Sequence, residues 1–239
     1  MISRFDIPSK ASTSQVRELA EKADGRYVAV YTKPTQLRLV QNAYERMCQV
    51  ADYTDAVMVY SDHFYVEDGR QSDAPVIDYQ KGSLRDDFDF GGLLVIRTDA
   101  LKKAVSGMTA EYRYAGLYDL RLKLSEIGEI VHINEYLYYE IKTDCRKTGE
   151  RLFDYVDPRN REVQIEMEAA CTRHLKDIGA WLAPEFKPVD LSEGEFAFEA
   201  SVVIPCRNRV RTILDAVHSA LGQETGFDFN VIVVDNFST

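Results

Sequence analysis

Pro205-Cys206-Arg207-Asn208 follows the apolar run Val202–Ile204, and Asp235-Asn236 follows the run Val231–Val234. Open parallel sheets bind ligands beyond the carboxyl ends of their strands. If both runs are strands of one such sheet, the two turns share one site. There Asp235 is a hydrogen-bond acceptor for a ligand, or it caps the next element while Pro205 and Asn208 only shape the turn. Three further places carry charge that could serve a ligand. Asp62 follows Ala56–Tyr60, Lys33 follows Arg26–Thr32, and Asp86, Asp87 and Asp89 precede Gly91-Gly92. Asp62 is placed to touch a ligand or to cap a turn. The acidic cluster is a solvated loop or a flexible ligand-side loop. His63, His132, His174 and His218 share no metal-ligand spacing, and Cys48, Cys145, Cys171 and Cys206 form no CxxC pair, so no zinc site is expected.

The elements that must position these residues are those of an α/β protein. Ser12-Thr13-Ser14-Gln15 reads as a capping box, with a helix to Ala23. Arg26–Thr32 reads as a strand. Leu39, Val40, Ala43, Tyr44, Met47 and Val50 recur at helical spacing. Ala56–Tyr60 reads as a strand buried on both faces, which Ser61-Asp62-His63 leaves. Glu67-Asp68-Gly69 is a turn, and Pro75–Tyr79 is a candidate strand. Leu93–Arg97 is a strand, Asp99–Val105 a short helix, Leu117–Ile127 a helix closed by Gly128, and Ile130–Tyr139 a strand. Asp157-Pro158 then opens a long helix, Arg159–Leu182, with Val163, Met167, Ala170, Cys171, His174, Ile178 and Trp181 on its apolar stripe. The acidic stretch Pro184–Glu199 is a linker. Ala200–Pro205, Val210–Gln223 and Asn230–Asp235 form one strand–helix–strand unit.

Composition narrows the partners. The chain has 239 residues, 45% apolar, and a net charge of −10. It can fill a core, and it lacks the basic stripe that nucleic-acid binding requires. No apolar run reaches the length of a transmembrane helix, and the N-terminus has no signal-peptide pattern. Four scattered cysteines fit reduced, structural thiols, so the expected setting is the cytoplasm.

The stretch Ser201-Val-Val-Ile-Pro-Cys-Arg-Asn-Arg209, a helix, then Val231-Ile-Val-Val-Asp-Asn-Phe-Ser-Thr239 resembles the opening of the family 2 glycosyltransferases, which have the GT-A fold. The resemblance implies a nucleotide-sugar site, with Pro205, Arg207, Asn208, Asp235 and Asn236 around the nucleoside. Asp235 would accept a hydrogen bond from a base imide N–H. About residues 10–140 resemble the later half of the same family. Gly25-Arg-Tyr-Val-Ala-Val-Tyr31 is similar to its strand before an Asp-x-Asp metal motif, and Val59-Tyr-Ser-Asp-His63 to its Tyr-Ser-Asp segment. Phe90-Gly-Gly92 is similar to its acceptor-side loop. Ala115-Gly-Leu-Tyr-Asp-Leu-Arg-Leu-Lys-Leu124 is similar to the helix with its catalytic carboxylate.

The resemblance makes Asp119 the candidate general base of an inverting transfer. The alternative pairs Asp119 with Arg121, Lys123 or backbone. Asp62, Lys33 and Asp89 become candidate sugar or acceptor contacts. Tyr112, Tyr114 and Tyr118 stack on a sugar or pack in the core. One departure matters: Tyr31-Thr32-Lys33-Pro34-Thr35 stands in place of Asp-x-Asp. Family members pair a nucleotide diphosphate sugar with Mn or Mg, and no carboxylate here holds such an ion. Lys33 supplies a point charge for a phosphate instead, or is a solvated loop lysine.

The expectation is therefore an α/β chain with a mostly parallel, GT-A-like (Rossmann-like) sheet, flanking helices and a long connector helix. Residues 1–143 would be the later portion of one module, 144–199 the connector and linker, and 200–239 the first βαβ of a nucleotide-binding module. The layout suggests a piece of a tandem bacterial glycosyltransferase (a hexosyltransferase) building surface polysaccharide. Its partners would be a nucleotide-sugar donor and a glycan acceptor, without nucleic acid. The alternative is a non-catalytic glycan-binding or scaffolding module. A lone βαβ leaves strand faces bare, so the last unit is either cut from a longer sheet or completes the first one.

Overall fold

A computed structural model describes residues 2–141, 160–188 and 196–239. The chain divides into two units, Met1–Leu182 and Ala183–Thr239. The division falls at the start of the stretch read as linker.

The first unit is a mixed sheet between helices. Its strands are β1 (Ile2–Asp6), β2 (Tyr27–Tyr31), β3 (Gln36–Leu39), β4 (Met58–Glu67), β5 (Arg70–Ala74), β6 (Leu93–Arg97) and β7 (Ile130–Ile141). Their order is β1-β2-β6-β4-β7-β3, with β5 paired to β4. β1, β2, β4 and β7 run one way, while β6, β3 and β5 are reversed. The α/β class and the prevailing strand direction are as expected.

Alternation along the strands assigns the two faces. Val28 and Val30 of β2, Met58 and Tyr60 of β4, and Leu94 and Ile96 of β6 face one core. That core is closed by α1 (Thr13–Lys22), α3 (Thr98–Ser106) and α4 (Gly116–Ile127) through Val16, Leu19, Leu101 and Leu120. Tyr27, Ala29 and Tyr31, with Val59, Leu93 and Val95, face the other, under Met47 and Ala51 of α2 (Ala43–Thr54). Central strands buried on both faces explain the continuous apolar runs.

Local chemistry sets several boundaries. The Ser12/Gln15 capping box is formed, with Ser12 N–H donating to Gln15 Oε1 at 2.9 Å. Asp68 (φ 50°) and Gly69 (φ 77°) make the two-residue turn between β4 and β5, both in the left-handed region that such a hairpin needs. Gly116 lets α4 meet the start of α1: a Cβ there would lie 2.5 Å from the Thr13 nitrogen.

The structure corrects three local expectations. Leu39 belongs to β3, antiparallel to β7, not to the following helix. Ser61-Asp62-His63 does not leave β4: all three are inside the strand and buried. Pro75–Tyr79 is not a strand; the strand is Arg70–Ala74.

Helix α5 (Arg161–Asp177) is shorter than the predicted span, and the predicted cap Asp157-Pro158 lies outside the described residues. It belongs to the first unit. Met167, Ala170 and Cys171 pack with Tyr112, Ala115, Tyr118 and Leu122 at α4. Glu166 fixes it further. Its carboxylate accepts from the backbone N–H groups of Arg113, Tyr114 and Ala115 at 3.1, 2.6 and 3.2 Å. The Ala115 methyl cannot cap α4, so Glu166 supplies the anion that the helix N-terminus favours.

In the second unit, β8 (Ala200–Cys206) and β9 (Phe229–Asp235) pair in parallel as a two-stranded sheet of their own, joined through α6 (Ile213–Leu221). Neither strand is a member of the seven-stranded sheet. Among the described residues no helix is long and apolar enough to cross a membrane.

Candidate functional site

In the second unit the parallel register brings Cys206 opposite Asp235, so both strands end together. Asn236 N–H continues the ladder to the Cys206 carbonyl at 2.8 Å. Beyond that point the two turns are clasped to each other. Asn208 (φ 52°) donates its N–H to Ser238 Oγ at 2.8 Å. Asn208 Oδ1 in turn accepts from Thr239 N–H at 2.9 Å. Asp235 Oδ2 accepts from Ser238 N–H at 3.2 Å, and Oδ1 accepts from the Ser238 hydroxyl. These Ser238 hydrogen bonds hold the Asp235 carboxyl below its ordinary range. Pro205 is the penultimate residue of β8. Arg207 and Asn236 are exposed, and Arg207 makes no ion pair among the described residues. The five residues predicted around a nucleoside thus lie at one end of the strand pair, Pro205 and Asp235 at the ends of β8 and β9 and Arg207, Asn208 and Asn236 on the turns beyond.

The first unit distributes its candidates differently. A cavity of about 560 Å³ opens where β1 and β2 end and β6 begins. Lys33 and Asp89 are on its wall; Asp62 and Asp119 are not. Lys33 Nζ lies 3.3 Å from Glu140 Oε2 and 3.5 Å from Asp89 Oδ1. Burial works against its charge, yet the two carboxylates raise its pKa above the ordinary value. The ammonium therefore stands between the acids nearest the position of the absent Asp-x-Asp. These residues do not fit a divalent cation, because the cationic place between them is filled by the chain itself. Lys33 is neither a solvated lysine nor an unpaired one.

His63, also inside β4, is 1% exposed and stacks on Tyr138 at 4.9 Å. Its Nε2 is 3.5 Å from Glu140, and neither ring nitrogen has a hydrogen-bond partner. Burial, with Lys33 adding to it, lowers its pKa to about 4. Gly91 (φ 75°) passes over this cluster, where a Cβ would overlap the Tyr138 hydroxyl. Tyr138 Oη instead accepts from Gly92 N–H at 2.7 Å.

Asp62 is committed to the fold. Its Oδ1 accepts from Val76 N–H at 2.8 Å and contacts His132 Nε2 at 2.9 Å, while His132 Nδ1 reaches Asp78 at 2.7 Å. Asp119 is 1% exposed, and neither of its oxygens has a hydrogen-bond partner. Burial raises its pKa to about 6, against the pull of Lys123 and Arg173. The partners foreseen for it are engaged elsewhere. Lys123 pairs with Asp177 at 2.6 Å and Glu126 at 3.1 Å, and Arg121 donates to the Ser83 and Arg85 carbonyls. His174 is packed, with Nδ1 at 2.7 Å from Glu126. Tyr112 and Tyr118 pack against α5, and Tyr118 also lines the cavity. Cys48, Cys171 and Cys206 are free thiols; Cys145 lies outside the described residues.

Residues 201–239 match the family model of glycosyl transferase family 2. The matched segment is β8, α6, β9 and the two clasped turns. It supports a glycosyl-transfer role in general terms, with a nucleotide-sugar donor and a glycan acceptor as the family's partners. No curated protein matches the chain.

Sequence reasoning missed Glu140 and Glu166, and it named His63 and Arg121 without these roles. No local pattern marks them. Glu140 meets Lys33 from a strand at the far end of the unit's sequence, and Glu166 meets α4 from another helix.

Proposed function

We propose that this chain is part of a glycosyltransferase that moves a hexosyl group from a nucleotide diphosphate sugar to a glycan, with inversion, in the bacterial cytoplasm, to extend a surface polysaccharide or related glycan. The observation behind the reading is the clasp of the two turns, in the segment that matches the family. The Ser238 hydrogen bonds hold the Asp235 carboxyl below its ordinary range. A carboxylate offers about four lone-pair sites, so after Ser238 it still accepts from a base imide N–H. Arg207 and the turn around Asn208 and Asn236 add an exposed cation and amide groups for ribose and phosphate. No metal ion is assigned to these residues.

An inverting transfer also needs a base for the acceptor hydroxyl. Asp119 is the candidate, and a carboxyl held at about 6 suits that task near neutral pH. It is buried and off the cavity wall, so the packing around α4 must open before an acceptor reaches it.

A second reading has its own observation. Lys33 pairs with Asp89 and Glu140 in the first unit and takes the place a metal ion would need between them, which favours a degenerate module that binds glycan or scaffolds a catalytic one. Calorimetric titration with UDP, with and without manganese, separates the two. The transferase reading expects UDP binding that Asp235→Ala weakens at least about tenfold. Absence of UDP binding under both conditions favours the scaffold.

A further inference from the structure

The cavity of the first unit contains a charge that the proposed transfer leaves unused. At about 560 Å³ it is within the range of small-molecule sites. Met58, Leu94 and Ile96 of the sheet form an apolar floor, and Phe90 closes one side. Arg121 of α4 is part of the wall, and it is 6% exposed. Its guanidinium lies 4.9 Å from the ring centre of Tyr118, 5.7 Å from Tyr79 and 6.0 Å from Phe90. It donates to the carbonyls of Ser83 at 2.7 Å and Arg85 at 2.6 Å, and reaches the Tyr79 hydroxyl at 3.4 Å. All of these acceptors are neutral. Among the described residues no carboxylate forms an ion pair with it.

That is an expensive arrangement. A buried charge without an opposite charge is strongly disfavoured, and aromatic faces return only part of that cost. The other charges around the cavity are mostly matched. Asp87 pairs with Arg85 at 2.9 Å, and Lys33 with Asp89 and Glu140. Arg121 remains as a fixed, buried cation beside an apolar floor, with Lys10 at the rim making no ion pair among the described residues. Asp86, also at the rim and exposed, opposes highly charged anions.

We infer that this cavity binds a small amphipathic anion whose carboxylate or phosphate meets Arg121 and whose apolar body lies against Met58, Leu94 and Phe90. After its bonds to Ser83, Arg85 and Tyr79 the guanidinium keeps two of its five N–H donors, Nε–H among them, for either group. The inference uses the first unit alone and does not depend on nucleotide binding by the second. Asp86 makes a nucleoside diphosphate a poor ligand here, so the two sites are separable in one preparation.

The test is calorimetry on the full chain with phenylacetate, phenyl phosphate, benzyl alcohol and inorganic phosphate. Phenylacetate and phenyl phosphate together ask which anionic group is preferred. At least one of them should bind with a Kd of about 1 mM or tighter. Benzyl alcohol, which lacks the charge, and inorganic phosphate, which lacks the body, should each bind at least about tenfold more weakly. Arg121→Met should weaken the anions about tenfold and leave benzyl alcohol unchanged. Gln164 is exposed on α5 at the cavity wall. Gln164→Trp should therefore weaken the anions by filling the mouth without touching the loop that Arg121 anchors. If circular dichroism shows Arg121→Met unfolded, Arg121→Lys and Gln164→Trp decide the matter. Equal binding of benzyl alcohol and the anions, no binding of either anion, or unchanged anion affinity in folded Arg121 and Gln164 variants would each overturn the inference.

Discussion

In the second unit Asp235 stands exposed at the end of β9, and Ser238 donates to both of its oxygens. In the first unit Asp119 is buried in α4 and receives no hydrogen bond at either oxygen. The first carboxyl is pushed below its ordinary range and the second is raised to about 6. Residue type is the same; the difference is whether donors converge on the charge or water is removed from it. The contrast extends to the cations. Arg207 is exposed beside Asp235, whereas Lys33 is already bound to Asp89 and Glu140. The second unit presents its polar groups outward for a ligand, while much of the first unit's charge is spent on itself.

The largest effect expected concerns Asp119. Its folded pKa lies above its unfolded value of 3.8, so the folded state holds the extra proton. This contribution to stability is complete below about 4 and is lost as pH rises through about 6. The shift corresponds to about 3 kcal/mol. Asp119→Asn should therefore stabilise the first unit at pH 7.5 by up to about 3 kcal/mol in urea denaturation. A difference between Asp119→Asn and the parent that does not change between pH 4 and 7.5 would show instead that burial does not raise this carboxyl.

His63 should behave in the opposite sense. Its folded pKa of about 4 lies below the unfolded 6.5. Its contribution is complete above 6.5 and is lost as pH falls toward 4, again by about 3 kcal/mol. The two groups nearly cancel between about pH 4 and 6.5, so Asp119→Asn should unmask stability that rises with pH. His63→Phe should unmask stability that falls with pH. Parallel profiles in the two variants would contradict both assignments.

Glu166→Ala removes the acceptor of three backbone N–H groups at the start of α4. A loss of about 2 kcal/mol is expected, with faster hydrogen exchange at Tyr114 and Ala115. The smallest effect belongs to Ser238→Ala. It should let the Asp235 carboxyl titrate closer to its ordinary range, read by carbon-detected NMR, with no change in the melting of the first unit.

The sequence was most legible where a structural cause is local. The Ser12 capping box, the alternation of β2 and the short buried β6 follow from neighbouring residues, and so does the pair of turns around Asn208 and Asp235. It was least legible where a polar residue is satisfied from afar. Ser61-Asp62-His63 looks like a strand exit because its polarity is conspicuous. The strand continues because Val76 and His132 satisfy Asp62, and Tyr138 stacks on His63. β3 was hidden for a related reason: Leu39 fits the helical spacing of α2 equally well, and only pairing with β7 assigns it to a strand. The cavity's buried cation could not be foreseen, since the Arg121 acceptors are main-chain carbonyls of Ser83 and Arg85 and carry no side-chain identity.

The proposed function stands or falls on whether the two clasped turns of the second unit hold a nucleoside. Two-dimensional amide NMR of the full chain during UDP addition decides this. Saturable shifts are expected at Arg207, Asn208, Asp235 and Asn236, with the amides of Lys33, Asp89 and Arg121 unmoved. Shifts confined to the first unit, or none at all, would refute it.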